Sequence, residues 1–225
     1  MIQRIKLMRI KTKFEIDSLY QFFKKNVFTP KSSFGFLNQE LYNNKVFSTY
    51  VEKEIINQEF TDPLGEPYTQ VLLSYNSFQF TIEPMSNDLF LLSIISPPRS
   101  IKNFIARLSE GLEYNIAFSS VDFSIGDLVE YLTTAEEISL LKITKLKASG
   151  VRFNESSTAN IEITSKSNAI YDLNDYLINS RYVIDKLAGN MIFNNHRIFF
   201  ETTKNGLMSI TQGFPSNFIF KSIKF

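Results

Sequence analysis

The stretch Asp172-Leu-Asn-Asp-Tyr-Leu-Ile-Asn-Ser-Arg-Tyr-Val-Ile-Asp-Lys-Leu-Ala-Gly189 decides how the second half of the chain is read. In it Leu173, Tyr176, Leu177, Val183, Ile184 and Leu187 keep a 3.6-residue period, and Gly189 stands where a C′ glycine ends a helix. Before it lie an extended run from Leu112 to Phe123, a helix opened by Ser124-Ile-Gly-Asp127 in the manner of a capping box, and strands over 138–153 and 159–164. After it comes a strand from Met191 to Thr202. Residues 112–202 thus predict the order β-α-β-β-α-β of a ferredoxin-like lobe. Lys204-Asn205-Gly206 adds a hairpin to Leu207–Thr211, since Asn-Gly is a strong turn signal, and residues 217–225 read as a last strand.

Toward the N-terminus the pattern changes at Gly111. Ile5 and Leu7, then Ile10, Thr12 and Phe14, alternate with a slip of parity that a bulge near Leu7-Met8 explains. Ile16, Leu19, Tyr20 and Phe23 follow at helical spacing. The stretch 26–44 is the least regular and reads as a mobile loop. Residues 46–60 and 71–82 are extended and joined by Thr61-Asp62-Pro63-Leu64-Gly65-Glu66-Pro67, a hairpin by its turn residues. Leu89–Ile95 is a continuous apolar run, hence a strand buried on both faces. Pro97-Pro98 ends it, and a helix from Arg99 carries Ile101, Phe104, Ile105 and Leu108 toward Gly111. The fold class is therefore α+β, two-lobed, with mixed, mostly antiparallel sheets and helices on one face. Its lobes are 1–111 and 112–225.

Composition narrows the chemistry. The 225 residues hold no Cys, no Trp and one His, which excludes a Cys/His zinc site or a thiol nucleophile within one chain. No Walker A, Gly-x-Gly-x-x-Gly, Gly-x-Ser-x-Gly or His-Glu-x-x-His motif occurs. His196, near a turn, reads as a surface or hydrogen-bonded residue. The carboxylate pairs Glu52/Glu54, Glu110/Glu113, Glu136/Glu137 and Asp172/Asp175 are read as solvated charges or helix-end partners. No catalytic, cofactor-binding or metal residue is assigned, and no cofactor is expected. The longest uncharged apolar run is far shorter than the roughly 20 residues that span a bilayer, and the N-terminus lacks the apolar core of a secretory signal. A cytoplasmic location with no membrane partner is expected.

Charge is more informative than its total of +1. Residues 1–31 hold eight basic and two acidic residues, a net +6, and residues 40–90 hold eight acidic and two basic, a net −6. Arg9, Lys11, Lys13, Lys24 and Lys25 could contact nucleic acid or an acidic partner. The alternative is that the basic strand pairs with the acidic hairpin. Phe34, Phe36, Leu37 and Leu41 could anchor a partner protein, or fold back into the core.

These readings favour a non-catalytic cytoplasmic protein-interaction subunit or adaptor of a microbial or phage-related complex. A nucleic-acid-binding module using the basic N-terminal strand and helix is the alternative, and a carboxylate-metal-dependent enzyme stands third.

Overall fold

The computed structural model describes residues 1–152, 154, 156–177, 182–214, 219 and 221–224. The elements are β1 (Ile2–Thr12), α1 (Ile16–Lys25), β2 (Phe34–Tyr42), β3 (Lys45–Thr61), β4 (Pro67–Ser86), β5 (Leu89–Ile95), α2 (Lys102–Gly111), β6 (Ile116–Ser120), β7 (Asp122–Phe123), α3 (Ile125–Thr134), β8 (Ile138–Arg152), β9 (Thr158–Thr164), α4 (Ala169–Tyr176), β10 (Val183–Phe193), β11 (His196–Thr203), β12 (Leu207–Thr211) and β13 (Ile223–Lys224). The class is α+β, with mostly antiparallel strand pairing. Two units form: an N-terminal unit of Arg9–Phe118, and a C-terminal unit of Met1–Met8 with Ser119–Phe225. β1 thus gives its first half to one unit and its end to the other.

In the N-terminal unit the strand order is β2-β3-β4-β5-β1. The β3–β4 hairpin is paired without a break from Val46↔Ile82 to Thr61↔Pro67. Its turn is fixed by Asp62, whose Oδ1 accepts from the Leu64 and Glu66 amides at 2.8 Å. Gly65 there has φ +90°, a conformation that only glycine adopts without strain. The core is aromatic. Phe23, Phe36, Tyr50, Phe80 and Phe104 are all fully buried, and Phe23 meets Phe36 edge-on at a centroid distance of 4.7 Å. Such pairs add about 0.5–1.5 kcal/mol beyond the area they bury. Helix α1 packs its Ile16, Leu19 and Phe23 face on β2, β3 and β4.

The segment expected as an irregular loop over 26–44 contains β2, which pairs antiparallel with β3 from Phe34↔Glu52 to Tyr42↔Lys45. A register shift between Leu37 and Glu40, with Asn38 at φ 52°, breaks the alternation that would have marked it as a strand.

Within the C-terminal unit the strand order is β1-β12-β11-β10-β8-β9. Ser124 caps α3 as its spacing implies, accepting from the Asp127 amide at 3.3 Å. Leu7 and Met8 are both buried, as the parity slip requires. The Asn205-Gly206 turn joins β11 to β12 as expected.

The helix expected through Leu187 is corrected. α4 ends at Tyr176, and Val183–Phe193 is strand β10, paired with both β8 and β11. Residues 178–181, in the middle of that expected helix, lie outside the described residues. Three register shifts in the β8 pairing put apolar residues at irregular intervals, and the intervals imitate a helical period. Gly189 is no helix cap: a Cβ there would stand 2.6 Å from the Lys142 carbonyl oxygen, so glycine lets two strands approach closely. The span expected as a single strand from Met191 to Thr202 turns at Asn194-Asn195, both at positive φ, from β10 into β11.

The ferredoxin-like pairing is corrected as well. The expected first strand over 112–123 is two, β6 and β7, in different sheets, and β10 pairs with β8, two strands that a ferredoxin-like sheet keeps at opposite edges. Of the expected last strand, Ile223–Lys224 pairs with Asp122–Phe123; residues 217, 218, 220 and 225 lie outside the described residues.

Candidate functional site

Arg9 and Lys11 flank buried Ile10 on the outward face of β1, and exposed Lys13 lies in the bend just past the strand's end. Lys24 and Lys25 close the last turn of α1, with Lys24 5.5 Å over the Tyr20 ring. The basic strand does not pair with the acidic hairpin: β5 lies between them. Lys11 instead reaches Asp88, 3.6 Å away, and both side chains are more than half exposed, a geometry worth little. Among the aromatic-loop candidates, Phe36 is fully buried in the core, while Phe34, Leu37 and Leu41 are half-buried on β2. Phe34 carries the Arg107 guanidinium at 5.0 Å. His196 is exposed at the start of β11.

A feature absent from the sequence reading is the outer half of the β3–β4 hairpin. β2 pairs with β3 no further than Glu52, and β5 pairs with β4 no further than Gln79. Past Glu54 and Ser74, beyond the Lys53 amide's bond to the Ser33 carbonyl and the Phe28–Tyr75 ring contact, the two strands have no further strand partner among the described residues. From Glu54 to the turn they extend about 27 Å at 3.4 Å per residue. Residues 54–59 and 67–73 are exposed throughout. Paired residues share a face, so Ile55, Val71 and Leu73 lie on one side, and Ile56, Phe60, Tyr68 and Leu72 on the other. Phe60 and Tyr68 stack at 5.5 Å. Residues 54–73 carry four acids (Glu54, Glu59, Asp62, Glu66) and no base. A ribbon that is apolar on both faces and acidic gains nothing from its own core, and two-stranded hairpins alone are marginal in water.

At the root of this arm a cleft of about 290 Å³ opens. Tyr50, Glu52 and Glu54 follow one another on a single face of β3, opposite Phe78, Asn76 and Ser74 on β4. Ser100 and Ile101, just ahead of α2, and Asn103 in its first turn form the facing wall, with Phe104 behind them. Asn103 Nδ2 donates to both Glu52 oxygens at 3.2 and 3.3 Å, and Asn76 Nδ2 to Glu54 Oε2 at 3.1 Å. Tyr50 is 1% exposed, its ring held between Phe78 at 5.4 Å and Phe104 at 5.1 Å. Its hydroxyl is buried beside the Glu52 carboxylate, within reach of a hydrogen bond to it. Burial pushes the Tyr50 phenol well above the ordinary tyrosine value; the nearby Glu52 carboxylate adds to the rise and Arg107 opposes it. The group is a neutral phenol at every physiological pH.

Glu52 and Glu54 therefore share a strand face, as the alternation implies. The signal for the rest of the cleft was missing, because α2 arrives from some fifty residues away. Among the described residues no group of three His, Cys, Asp or Glu side chains could hold a metal, and no helix is long and apolar enough to cross a membrane.

No family model and no curated protein matches the chain. Among solved structures it is similar to the crystal structure of DynU16, a protein of the dynemicin biosynthetic locus, at 8% identity over 92% of this chain and 84% of that one. The TM-score is 0.17, which carries no argument about fold or function.

Proposed function

We propose that this protein is a non-catalytic interaction subunit or adaptor of a microbial or phage-related cytoplasmic complex, and that the outer half of the β3–β4 hairpin is its docking arm. The observation that carries the reading is the arm's surface. Ile55, Ile56, Tyr68, Val71, Leu72 and Leu73 are each at least 39% exposed on a ribbon that no other element covers among the described residues. The tip turn is held by Asp62, so the arm meets its partner largely preorganised. Its four acids and absence of bases suit a partner surface that is apolar at its centre and basic at its rim.

The test is an arm-deleted variant in which Asn-Gly replaces Ile55–Leu73. It should keep the far-UV circular dichroism of the core elements. A photo-crosslinker placed at Ile56 of the full chain, used in the native host, should yield crosslinks to one dominant protein that also co-purifies with the full chain. Loss of that protein from the arm-deleted variant supports the reading; equal recovery by both chains sinks it.

A second reading rests on Arg9 and Lys11 on the outward face of β1, with Lys13 just past its end. Nucleic-acid binding through that face would weaken steeply with salt and with substitution of the three residues by Glu. Its absence at low ionic strength rejects this reading.

A further inference from the structure

We propose that the arm takes its partner by strand addition: the free edge of β4 from Thr69 to Tyr75 accepts one extended segment of the partner protein, apolar at its middle and basic at its ends. This rests on the docking-arm reading and names what docks. Backbone phase defines the edge. The Asp62 amide donates to the Glu66 carbonyl at 2.9 Å, so that pair is hydrogen-bonded, and in an antiparallel ladder such pairs alternate with pairs whose backbone groups point away from each other. Tyr68, Gln70, Leu72 and Ser74 therefore bond to β3, while Thr69, Val71, Leu73 and Tyr75 turn their N–H and C=O groups outward. The Lys53 amide, opposite Tyr75, has the same phase: it donates away from β4, to the Ser33 carbonyl at 2.7 Å. β5 pairs with this edge of β4 no further out than Gln79.

The edge is also undefended. Sheet edges are normally blunted by charge, proline or a bulge, and this chain does so elsewhere. In the N-terminal unit, edge strand β2 carries the register shift after Leu37 and the charge of Glu40. In the C-terminal unit, edge strand β9 is seven residues long, carries Glu162 and pairs through a register shift. Over 68–77, by contrast, β4 has no charged residue, no proline and no register shift against β3. The free edge of β3 is guarded by Glu54 and Glu59. The flanking residues set the chemistry of the guest. Val71 and Leu73 lie beside the edge on one face, Tyr68 and Leu72 on the other, so guest side chains of both parities meet apolar surface. Glu59, Asp62 and Glu66 stand toward the tip and Glu54 toward the root, with no base over 54–73, so basic ends complement both ends of the edge. A second copy of β4 paired there would bring four more acids against these, which disfavours it.

The experiment uses the full chain and a fluorescent peptide of alternating valine and threonine with lysine at both ends, beside the same peptide ended in glutamate. Anisotropy at low salt should show the lysine-ended peptide binding at least about tenfold more tightly than the other. Leu73→Pro deletes one outward amide and fills the edge with the proline ring. Ile55→Pro does the same on the opposite edge, on β3, and the two residues are cross-strand partners on one face. Neither substitution touches a hydrogen bond between β3 and β4. Leu73→Pro should weaken binding at least about tenfold, and Ile55→Pro less than about twofold. Peptides N-methylated at alternate amides test the contact with the protein unaltered: one phase should lose binding and the other keep it. The proposal is overturned if the lysine-ended peptide does not bind, if both proline variants lose binding alike, as side-chain docking requires, or if both N-methylated phases bind as the parent does. It is also overturned if the chain alone sediments as a dimer that Leu73→Pro dissociates. Loss of the protein crosslinked from position 56 in Leu73→Pro, but not in Ile55→Pro, supports it. Retention of that protein by Leu73→Pro, with loss on arm deletion, sinks strand addition and leaves the docking arm standing.

Discussion

The inner and outer halves of the β3–β4 hairpin share two strands, one register and one pairing pattern, yet their environments are opposite. From Val46↔Ile82 to Tyr50↔Phe78 the inward side chains are buried, whereas from Glu54↔Ser74 to Thr61↔Pro67 nearly every residue is exposed. The inner half has strands on both sides and helix packing over it. The outer half has only itself. Backbone pairing alone therefore does not decide burial here; the neighbours do. The chain has placed strong β-formers such as Ile55, Ile56 and Val71 where only the opposite strand of the hairpin meets them, and a surface of that kind marks an interface.

The sharpest way to break this contrast is at the root. Phe80 is 1% exposed and meets Phe23 at 5.4 Å and Phe104 at 5.2 Å. Phe80→Ala should cost about 3–5 kcal/mol, the usual loss for a buried ring plus the cavity it leaves. Urea unfolding checks it: the midpoint should fall with an unchanged slope. A loss under about 1 kcal/mol would mean that the root is not the core it resembles.

How much of this was legible varies along the hairpin. Turn chemistry at Asp62-Pro63-Leu64-Gly65 and the alternation of Phe78, Phe80 and Ile82 made the hairpin and its buried root readable. The exposed half was not readable, because Ile55-Ile56 and Val71-Leu72-Leu73 have the composition of a core strand. Periodicity records which face a residue takes, and not whether anything lies against that face. The cleft was half readable: Tyr50, Glu52 and Glu54 share a face by simple alternation, but Asn103 and Phe104 reach them only through tertiary packing. The misread Val183–Leu187 stretch has a related cause. Bulged pairing with β8 spaces its apolar residues at intervals a helix would also give, and sequence alone does not separate the two. β2 was hidden by the same device, its register shift after Leu37.

A middle-sized effect is expected at the outer stack. Phe60 and Tyr68 lie face to face, their planes inclined by 21°, and directly opposed aromatic pairs are worth about 0.5–1.5 kcal/mol. In Phe60→Ala the loss should fall on the arm alone. Amide hydrogen exchange should quicken across 55–61 and 67–73, while protection in 46–50 and 78–82 and the global midpoint stay as they were. Quickened exchange at the root would show that the two halves open as one unit and would remove the contrast.

The smallest effect on stability is also the most informative about function. Ile56 and Leu72 are cross-strand partners, 42% and 39% exposed. Ile56→Thr with Leu72→Thr keeps residues acceptable to a strand, because β-branched Thr fits the pleat, and removes most of the apolar surface at the middle of that face. An exposed pair distant from the core should change global stability by no more than about 0.5 kcal/mol. If the arm docks a partner, the same double substitution should abolish capture of the protein crosslinked from position 56, since central apolar anchors carry most of an interface's energy. Stability and capture then move apart, which a purely structural role for these side chains would not allow. Were both to fall together, Ile56 and Leu72 would belong to the core after all, and the outer half would be an extension of the root instead of a surface offered to another protein.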